Sequence, residues 1–193
     1  RTSVLPPFFV SVRRMAPLDS LSFRRAAVED VTSIVALVER AYRGEPSRVG
    51  WTTEADLLGG QRTDASAVRR VITARGSRIL LAERDGAIVA CLLMRREGRD
   101  TYLGMFAVQP SLQAEGIGRR MLQEAERIAR DEMHATGIRM TVFAQRPELI
   151  AWYERRGYHL SGETEAFPYG DISLGLPTRD DLYFVVLRKK LMI

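Results

Sequence analysis

The chain has 193 residues, a net charge of +5 and a single cysteine, Cys91. This length is typical of one domain with its own core, and one cysteine excludes an intramolecular disulfide and favours a reducing, cytoplasmic setting. Three arginines and no acid lie in the first 14 residues, so the rest carries a net charge of only +2, which argues against a nucleic-acid-binding protein. No apolar run reaches membrane-spanning length, and two distant histidines, His134 and His159, predict no metal site.

Residues 1–20 differ from the rest in pattern. They carry the pair Pro6-Pro7 and show neither helical nor strand periodicity over a useful length. We therefore expect residues 1–20 to be an extension outside the fold, and residues 21–193 to form one domain.

The first half of that domain alternates strand and helix patterns. A strand is predicted over 22–26, and apolar residues at helical spacing predict a helix over 31–42, which Gly44 ends. Two shorter helices are predicted over 51–58 and 65–73. In the first of these, Thr53 and Asp56 have the spacing of a capping box.

The second half begins with a predicted hairpin. Strand patterns over 79–83 and 87–94 flank Asp85-Gly86, a pair that favours a tight turn. Further strands are predicted over 102–108, 138–143, 158–161 and 182–187, with a long helix over 116–134. A polar, turn-rich loop is predicted over 163–171.

A glycine turn joins the strand over 102–108 to the long helix. The turn exposes N–H groups at the positive end of the helix dipole, which favours a phosphate ligand. A nucleotide-hydrolysing P-loop requires Lys and Ser or Thr where Arg119 and Arg120 stand, and a dinucleotide fingerprint requires a third glycine where Met121 stands. Neither alternative fits this sequence.

Two blocks instead resemble the GNAT acetyltransferases. Gln113, Gly116 and Gly118 satisfy the family's acetyl-CoA signature of Gln or Arg, two residues, Gly, one residue, then Gly or Ala. Downstream, Tyr153 and Gly157 have the spacing of the family's second block, a short helix closed by glycine.

The resemblance implies a mixed α/β fold with a twisted sheet of about seven strands and about four helices. The central strands over 102–108 and 138–143 would splay apart to admit the pantetheine arm of acetyl-CoA. The coenzyme contacts that it implies are at Phe106, Ala107, Val108, Gln113, Ala114, Glu115, Gly116, Ile117, Gly118, Arg119 and Tyr153. Arg156 is a further predicted contact because it borders the second block, where a polyphosphate would lie. Arg146 replaces an asparagine common in the family, and we expect it to reach a phosphate instead.

The implied activity is transfer of an acetyl group from acetyl-CoA to a primary amine by direct attack. The N–H of Phe106 would face the thioester carbonyl, and Tyr153 would be the general acid for the leaving sulfur. The alternative is a catalytically silent acetyl-CoA sensor, which would bind without turnover.

The acceptor amine stays open between a small molecule and a protein amine, and a homodimer is a possible assembly. Trp51 and Glu54 offer an aromatic surface beside a carboxylate, which suits a cationic amine. Glu54 is a candidate base, although it also suits the first turn of a helix. Tyr169 lies in the predicted loop over 163–171, placed to cover the acceptor.

Overall fold

Seven strands form one mixed sheet in the computed structural model, which describes residues 21–192; the predicted extension over 1–20 lies outside the described residues. Together with a separate pair, the strands of the described residues are β1 Ser22–Arg25, β2 Leu58–Gly59, β3 Ser77–Arg84, β4 Ala87–Glu97, β5 Asp100–Val108, β6 Gly137–Phe143, β7 His159–Ala166, β8 Leu176–Pro177 and β9 Tyr183–Lys190. The order in the sheet is β1-β3-β4-β5-β6-β9-β7, and β2 pairs separately with β8. The predicted fold class is confirmed.

Helices cover both faces of this sheet. They are α1 Val31–Tyr42, α2 Gly44–Ser47, α3 Ala65–Thr73, α4 Ile117–Asp131 and α5 Pro147–Glu154. The apolar stripe of α4, which includes Met121 and Leu122, packs in one cluster with β4 and β6. Ile34 of α1 and Val68 of α3 pack in the other cluster, so the sheet lies between two apolar layers.

Turn chemistry fixes the boundaries of several elements. The predicted β3–β4 hairpin is confirmed, with Asp85 and Gly86 at φ of 53° and 76°, which suits a tight turn with two left-handed residues. Gly44 takes φ of 63° one residue after the capping Arg43, as predicted for the end of α1. At the N-terminus of α3, the carboxylate of Asp64 accepts a hydrogen bond from the N–H of Ala67.

Two predicted elements are wrong. Residues 51–58 form turns followed by β2 instead of a helix, because Thr53 Oγ1 hydrogen bonds to Ser47 and to the N–H of Ala55, and other side chains bind the local peptide groups. Residues 163–166 lie in β7 instead of a loop, because β7 pairs with β9 through Ala166, opposite Tyr183.

The centre of the sheet is open. Strands β5 and β6 run parallel and pair only over Asp100–Tyr102 and Gly137–Arg139. Beyond that point β5 continues along β4, while β6 continues along β9 to Phe143. The remaining peptide groups at the facing edges of β5 and β6 lack partners in each other, and such groups require partners of another kind.

Candidate active site

Two cavities open where β5 and β6 separate. The glycine cavity, of about 330 Å³, is lined by Val108, Gly116, Gly118, Arg119, Trp152 and Arg156, among others. The strand cavity, of about 380 Å³, is lined by β5 residues Tyr102 to Phe106, β6 residues Met140 to Phe143, and by Glu54, Arg62 and Glu165, among others. The two cavities share Tyr42, Phe106, Leu149 and Tyr153, so they meet at these four side chains.

The glycine cavity is shaped by the turn before α4. Gly116 takes φ of 79°, a left-handed conformation that glycine adopts without steric cost, and α4 begins at the next residue. A Cβ on Gly118 would lie 3.6 Å from Trp152 and 3.8 Å from Phe106, so a larger side chain there would fill the cavity. The turn therefore leaves room for a ligand against the positive end of α4.

Two arginines give this cavity an excess of positive charge. Arg156 stacks on the ring of Trp152, with Cζ 3.5 Å from the ring centroid, and donates to the carbonyl of Trp152 over 2.6 Å. Burial, followed by the nearby charges of Arg155 and Arg119, lowers the pKa of Arg156. Its Nε is buried without a hydrogen-bond partner in the part of the chain that the structure describes. The site has the character of an anion receptor.

Gln113 uses its side chain within the protein. Its Oε1 accepts from the N–H of Trp51 over 2.9 Å, and its Nε2 donates to Thr52 Oγ1 over 2.6 Å and to the carbonyl of Val108 over 3.2 Å. Residues 51–52 are thereby fixed to the glycine turn. The side chain of Gln113 is therefore occupied by the protein, and only its main chain is left to contact a ligand as predicted.

Three other predicted contact residues face away from the glycine cavity. Glu115 forms an ion pair with Arg84 of β3, at 2.6 Å between Oε2 and Nη1. Ile117 and Ala107 are fully buried, Ile117 in the cluster between α4 and the sheet and Ala107 in the cluster with α1. Their side chains support the turn and the strand, while Ala114, Gly116, Gly118 and Arg119 line the cavity.

Arg146 does not extend toward the glycine turn. Its Nη1 donates to the carbonyls of Thr52 and Thr53, its Nη2 to that of Trp51, and its Nε to Glu148. A phosphate contact would require these hydrogen bonds to break, so the structure revises that expectation. Arg146 holds residues 51–53 against the start of α5, where it lies 7% exposed.

Tyr153 lies at the junction of the two cavities. It is 6% exposed and meets Trp152 and Tyr158 edge to face, with ring centroids 5.0 and 5.7 Å away. Burial raises the pKa of Tyr153 above its usual value of 10.0, so the hydroxyl holds its proton at neutral pH.

Phe106 lies at a bulge in β5. The pairing with β4 joins Cys91 to Ala107 and Leu93 to Gly104, and skips Met105 and Phe106. Met105 takes φ of 44°, which marks the bulge. The carbonyl of Phe106 instead accepts from the hydroxyl of Tyr42 over 2.6 Å, so this carbonyl is directed to the cavity junction.

Tyr42 is a site residue that was not predicted from the sequence. Its hydroxyl donates a hydrogen bond to the carbonyl of Phe106, and burial raises the pKa of Tyr42 above its usual value of 10.0. The only signal in the sequence was its position as the last residue of the α1 stripe, which is equally typical of a core residue.

The predicted acceptor residues are divided between different places. Glu54 lines the strand cavity, where its Oε2 pairs with Arg43 Nη1 at 2.9 Å and lies 3.9 Å from Arg62 Nε. Trp51 lines the glycine cavity instead, with its ring centroid 6.1 Å from that of Trp152. Tyr169 lines neither cavity, because its hydroxyl accepts from the N–H of Leu182 and donates to a loop carbonyl, and its ring packs on Phe167.

The single cysteine lies outside both cavities. Cys91 is fully buried in the α1 cluster, and burial raises its pKa to about 12. Residues 21–192 contain no group of three or more His, Cys, Asp or Glu side chains placed to hold a metal ion. Across that range, no helix has the length and hydrophobicity needed to cross a membrane.

Two comparisons of the sequence with known proteins both point to acetyltransferases. Residues 35–158 match the model of the acetyltransferase (GNAT) family. S-(2-succino)cysteine N-acetyltransferase from Bacillus subtilis (strain 168) is 31% identical over 151 residues, which cover 74% of this chain and 87% of that protein.

Solved structures show the same fold at low sequence identity. Ard1 from Thermoplasma volcanium superposes with a TM-score of 0.67 at 14% identity, over 90% of this chain and 99% of that one. The ribosomal-protein-S18-alanine N-acetyltransferase from Escherichia coli superposes with a TM-score of 0.63 at 12% identity, over 90% of this chain and 95% of that one.

Proposed function

The chain belongs to the acetyltransferase (GNAT) family and is an acetyl-CoA-dependent acetyltransferase, and on that premise we propose that it acetylates a small primary amine. One observation carries the proposal: the glycine cavity and the strand cavity meet at Phe106 and Tyr153. A coenzyme on one side and an amine on the other would then bring their reacting atoms to the same place.

The residues of the glycine cavity fit acetyl-CoA. Gly118 leaves space that a Cβ-bearing residue would occupy, and the buried Nε of Arg156 lacks a partner within residues 21–192. We propose that Arg119, Arg156 and the N–H groups after Gly116 bind the diphosphate. The facing edges of β5 and β6 would provide hydrogen bonds for the amides of the pantetheine arm.

The reaction exchanges one bond to the acetyl carbon for another. When bound, acetyl-CoA supplies the acetyl group as a thioester: a nitrogen–carbon bond forms, the carbon–sulfur bond breaks, the amine loses a proton and the sulfur gains one. The protein must therefore stabilise a negative oxygen, supply one proton and accept another.

Phe106 is our candidate for the oxyanion donor. In a strand, the N–H and C=O of one residue are directed to the same edge, and the carbonyl of Phe106 is directed to Tyr42 at the cavity junction. We therefore infer that the N–H of Phe106 is directed to the same place. One such fixed donor is worth about 3 to 4 kcal/mol of activation free energy in a hydrolase where it has been measured.

Tyr153 is our candidate for the general acid. Its raised pKa keeps the phenol protonated until the leaving sulfur takes the proton. Glu54 is the candidate acceptor of the amine proton, because its Oε1 accepts no hydrogen bond from residues 21–192 while Oε2 is held by Arg43.

A small acceptor is favoured by two observations. The strand cavity measures about 380 Å³, which is the scale of a small-molecule site. The relative from Bacillus subtilis is named for acetylating S-(2-succino)cysteine, an amino-acid derivative. The cytoplasmic location and the homodimer stay predictions from the sequence.

Release of free thiol from acetyl-CoA in the presence of a panel of primary amines tests the proposal. We expect amine-dependent thiol release, with the acetyl group recovered on nitrogen. Binding of acetyl-CoA with no thiol release across the panel would instead support the silent sensor and contradict the proposed activity.

A further inference from the structure

Arg62 is an arginine of the strand cavity whose charge is poorly compensated. Its Nε lies 3.9 Å from Glu54 Oε2, beyond hydrogen-bond distance, and its Cζ lies 5.3 Å from the centroid of the Tyr42 ring. Within the part of the chain that the structure describes, no acceptor hydrogen bonds to this guanidinium. The side chain is 24% exposed, so a ligand in the cavity can reach it.

The other arginines around the strand cavity already have acceptors. Arg43 is bound to Glu54 and to the carbonyl of Leu174, and Arg146 is bound to three carbonyls and to Glu148. Arg139 is hydrogen bonded to Glu165. Glu54 accepts from Arg43 through Oε2 at 2.9 Å and keeps Oε1 open, so among these arginines of the described residues Arg62 is the one without a hydrogen-bonded acceptor.

The main chain at Arg62 is fixed although its side chain is not. The N–H groups of Arg62 and Thr63 both donate to Glu39 Oε1, over 2.7 and 2.8 Å. The base of the side chain is therefore held by α1, the helix that also carries Tyr42. Tyr42 in turn hydrogen bonds to Phe106, so one phenol ring separates Arg62 from the predicted reaction centre.

Arg62 and Glu54 present opposite charges side by side. An amino acid carries an ammonium and a carboxylate on one carbon, so it can place the first near Glu54 and the second on Arg62 at the same time. A guanidinium binds a carboxylate through two parallel hydrogen bonds, which gives both affinity and orientation. A polyamine would bring only further positive charge to Arg62.

We propose that the acceptor is a free amino acid or a derivative that keeps a carboxylate beside its amine, and that Arg62 binds this carboxylate. The assignment rests on the proposed function and makes Arg62 the residue that selects the acceptor. Holding the carboxylate on Arg62 would orient the neighbouring amine toward Phe106 and Tyr153.

The experiment compares free amino acids with their matching amides, and with spermidine, by thiol release from acetyl-CoA. For the wild-type enzyme we expect at least one amino acid to exceed its amide at least tenfold in kcat/KM. In Arg62→Gln, kcat/KM for that amino acid should fall about 10- to 100-fold, mainly through KM, because a hydrogen-bonded charge is lost. The value for the amide should stay unchanged.

Two variants provide controls. Arg40→Gln removes one positive charge from the exposed face of α1, outside both cavities, and should leave both substrates unaffected. Arg62→Lys keeps the charge but loses the paired hydrogen bonds, so it should restore part of the affinity for the amino acid.

Several results would overturn the assignment of the carboxylate to Arg62. These are equal use of amino acid and amide by the wild-type enzyme, a preference for spermidine, or an equal loss for acid and amide in Arg62→Gln. In each case thiol release would still support the acetyltransferase activity. Absence of thiol release with every amine, in an enzyme that binds acetyl-CoA, would overturn both proposals.

Discussion

The glycine cavity and the strand cavity differ in how they are built. The glycine cavity takes half of its lining from β5, the following turn and the start of α4, and the rest from Tyr42, residues 51–52 and the α5 region. The strand cavity draws on segments as distant as Tyr42 and Phe184. Local sequence can specify the glycine turn that shapes the first cavity, whereas the second has no such local element and exists only after the chain has folded.

The two cavities also differ in charge. Arg119 and Arg156 have no carboxylate partner within residues 21–192, which suits a ligand with several negative charges. In the strand cavity, Glu54, Arg146 and Glu165 are paired, so Arg62 is left as a single cation. We therefore expect the glycine cavity to bind anions in general and the strand cavity to be the more selective site.

Residues 51–53 link the two sites. Gln113 holds residues 51–52 from the glycine turn, and Arg146 holds residues 51–53 from the start of α5. Glu54 follows directly, in the strand cavity. The carboxylate near the acceptor is thus positioned by the same turn that we propose to bind the coenzyme.

The largest effect is expected at the junction that both cavities share. Tyr153→Phe removes the proposed proton donor and keeps the ring, so turnover should fall about 10²- to 10⁴-fold with little change in coenzyme affinity. Steady-state kinetics and a binding titration measure the two quantities. As a control, Tyr158→Phe removes another buried tyrosine hydroxyl outside both cavities and should retain normal turnover. Full activity in Tyr153→Phe would remove Tyr153 from the mechanism.

A second effect should be confined to the glycine cavity. Gly118→Leu places a side chain toward Trp152 and Phe106, and a steric cost of about 3 kcal/mol corresponds to roughly 100-fold weaker coenzyme binding. Titration with acetyl-CoA measures this affinity. Gly118→Ala is the control: its Cβ meets only ordinary contacts and alanine favours a helix, so the free energy of unfolding without ligand should rise by about 0.5 to 1 kcal/mol. Undiminished acetyl-CoA binding by Gly118→Leu would place the coenzyme elsewhere.

A smaller effect on acetyl-CoA affinity should distinguish two adjacent arginines, Arg155 and Arg156. Arg156→Gln removes a cation from the glycine cavity and should weaken acetyl-CoA binding about tenfold or more, because hydrogen bonds to charged groups contribute about 1.5 to 3 kcal/mol. Arg155→Gln removes the same charge from an exposed neighbour and should change binding far less. Equal losses in the two variants would indicate a diffuse electrostatic effect instead of a direct contact.

The smallest effect is expected at an ion pair outside both cavities, between Arg24 and Asp30, and it concerns stability and not activity. Hydrogen bonds from Arg24 lower the pKa of Asp30 below its usual value of 3.8. The stabilisation is therefore fully present above that value and is lost as the pH falls through the lowered pKa. Arg24 is 40% exposed and also pairs with Glu83, so Arg24→Gln, which removes both pairs, should reduce the free energy of unfolding by only about 1 kcal/mol or less at pH 7.

Urea unfolding of the wild-type protein and Arg24→Gln at neutral and acidic pH measures this contribution. The difference between the two proteins should shrink in acid, and kcat/KM at pH 7 should be equal. A difference that grows as the pH falls would contradict the assignment to the pair of Arg24 and Asp30.

The sequence predicted features that short stretches determine. The Asp85-Gly86 hairpin, the glycine turn and α4 follow from local turn chemistry and periodicity, and the structure has all three. The bounds moved by a few residues, as in α4, which ends at Asp131 instead of near His134.

The errors come from contacts between distant segments. Residues 51–58 carry a helical capping pattern, but Gln113 and Arg146 bind the peptide groups at 51–53 from 61 to 95 residues away. Arg62 had no local signal and that of Tyr42 was equally typical of a core residue, since their importance depends on cavities that form only when β5 and β6 separate. A sequence pattern cannot specify such sites without the tertiary structure.

Thermal melting with and without acetyl-CoA tests the central claim most directly, namely that the glycine cavity binds the coenzyme. Ligand at about 100 times its dissociation constant should add about 2.7 kcal/mol, which for a chain of this size raises Tm by roughly 5 to 10 °C. The account predicts this rise in the wild-type protein and a much smaller one in Gly118→Leu at the same concentration. No rise in the wild-type protein at millimolar acetyl-CoA, or an equal rise in both proteins, would contradict it.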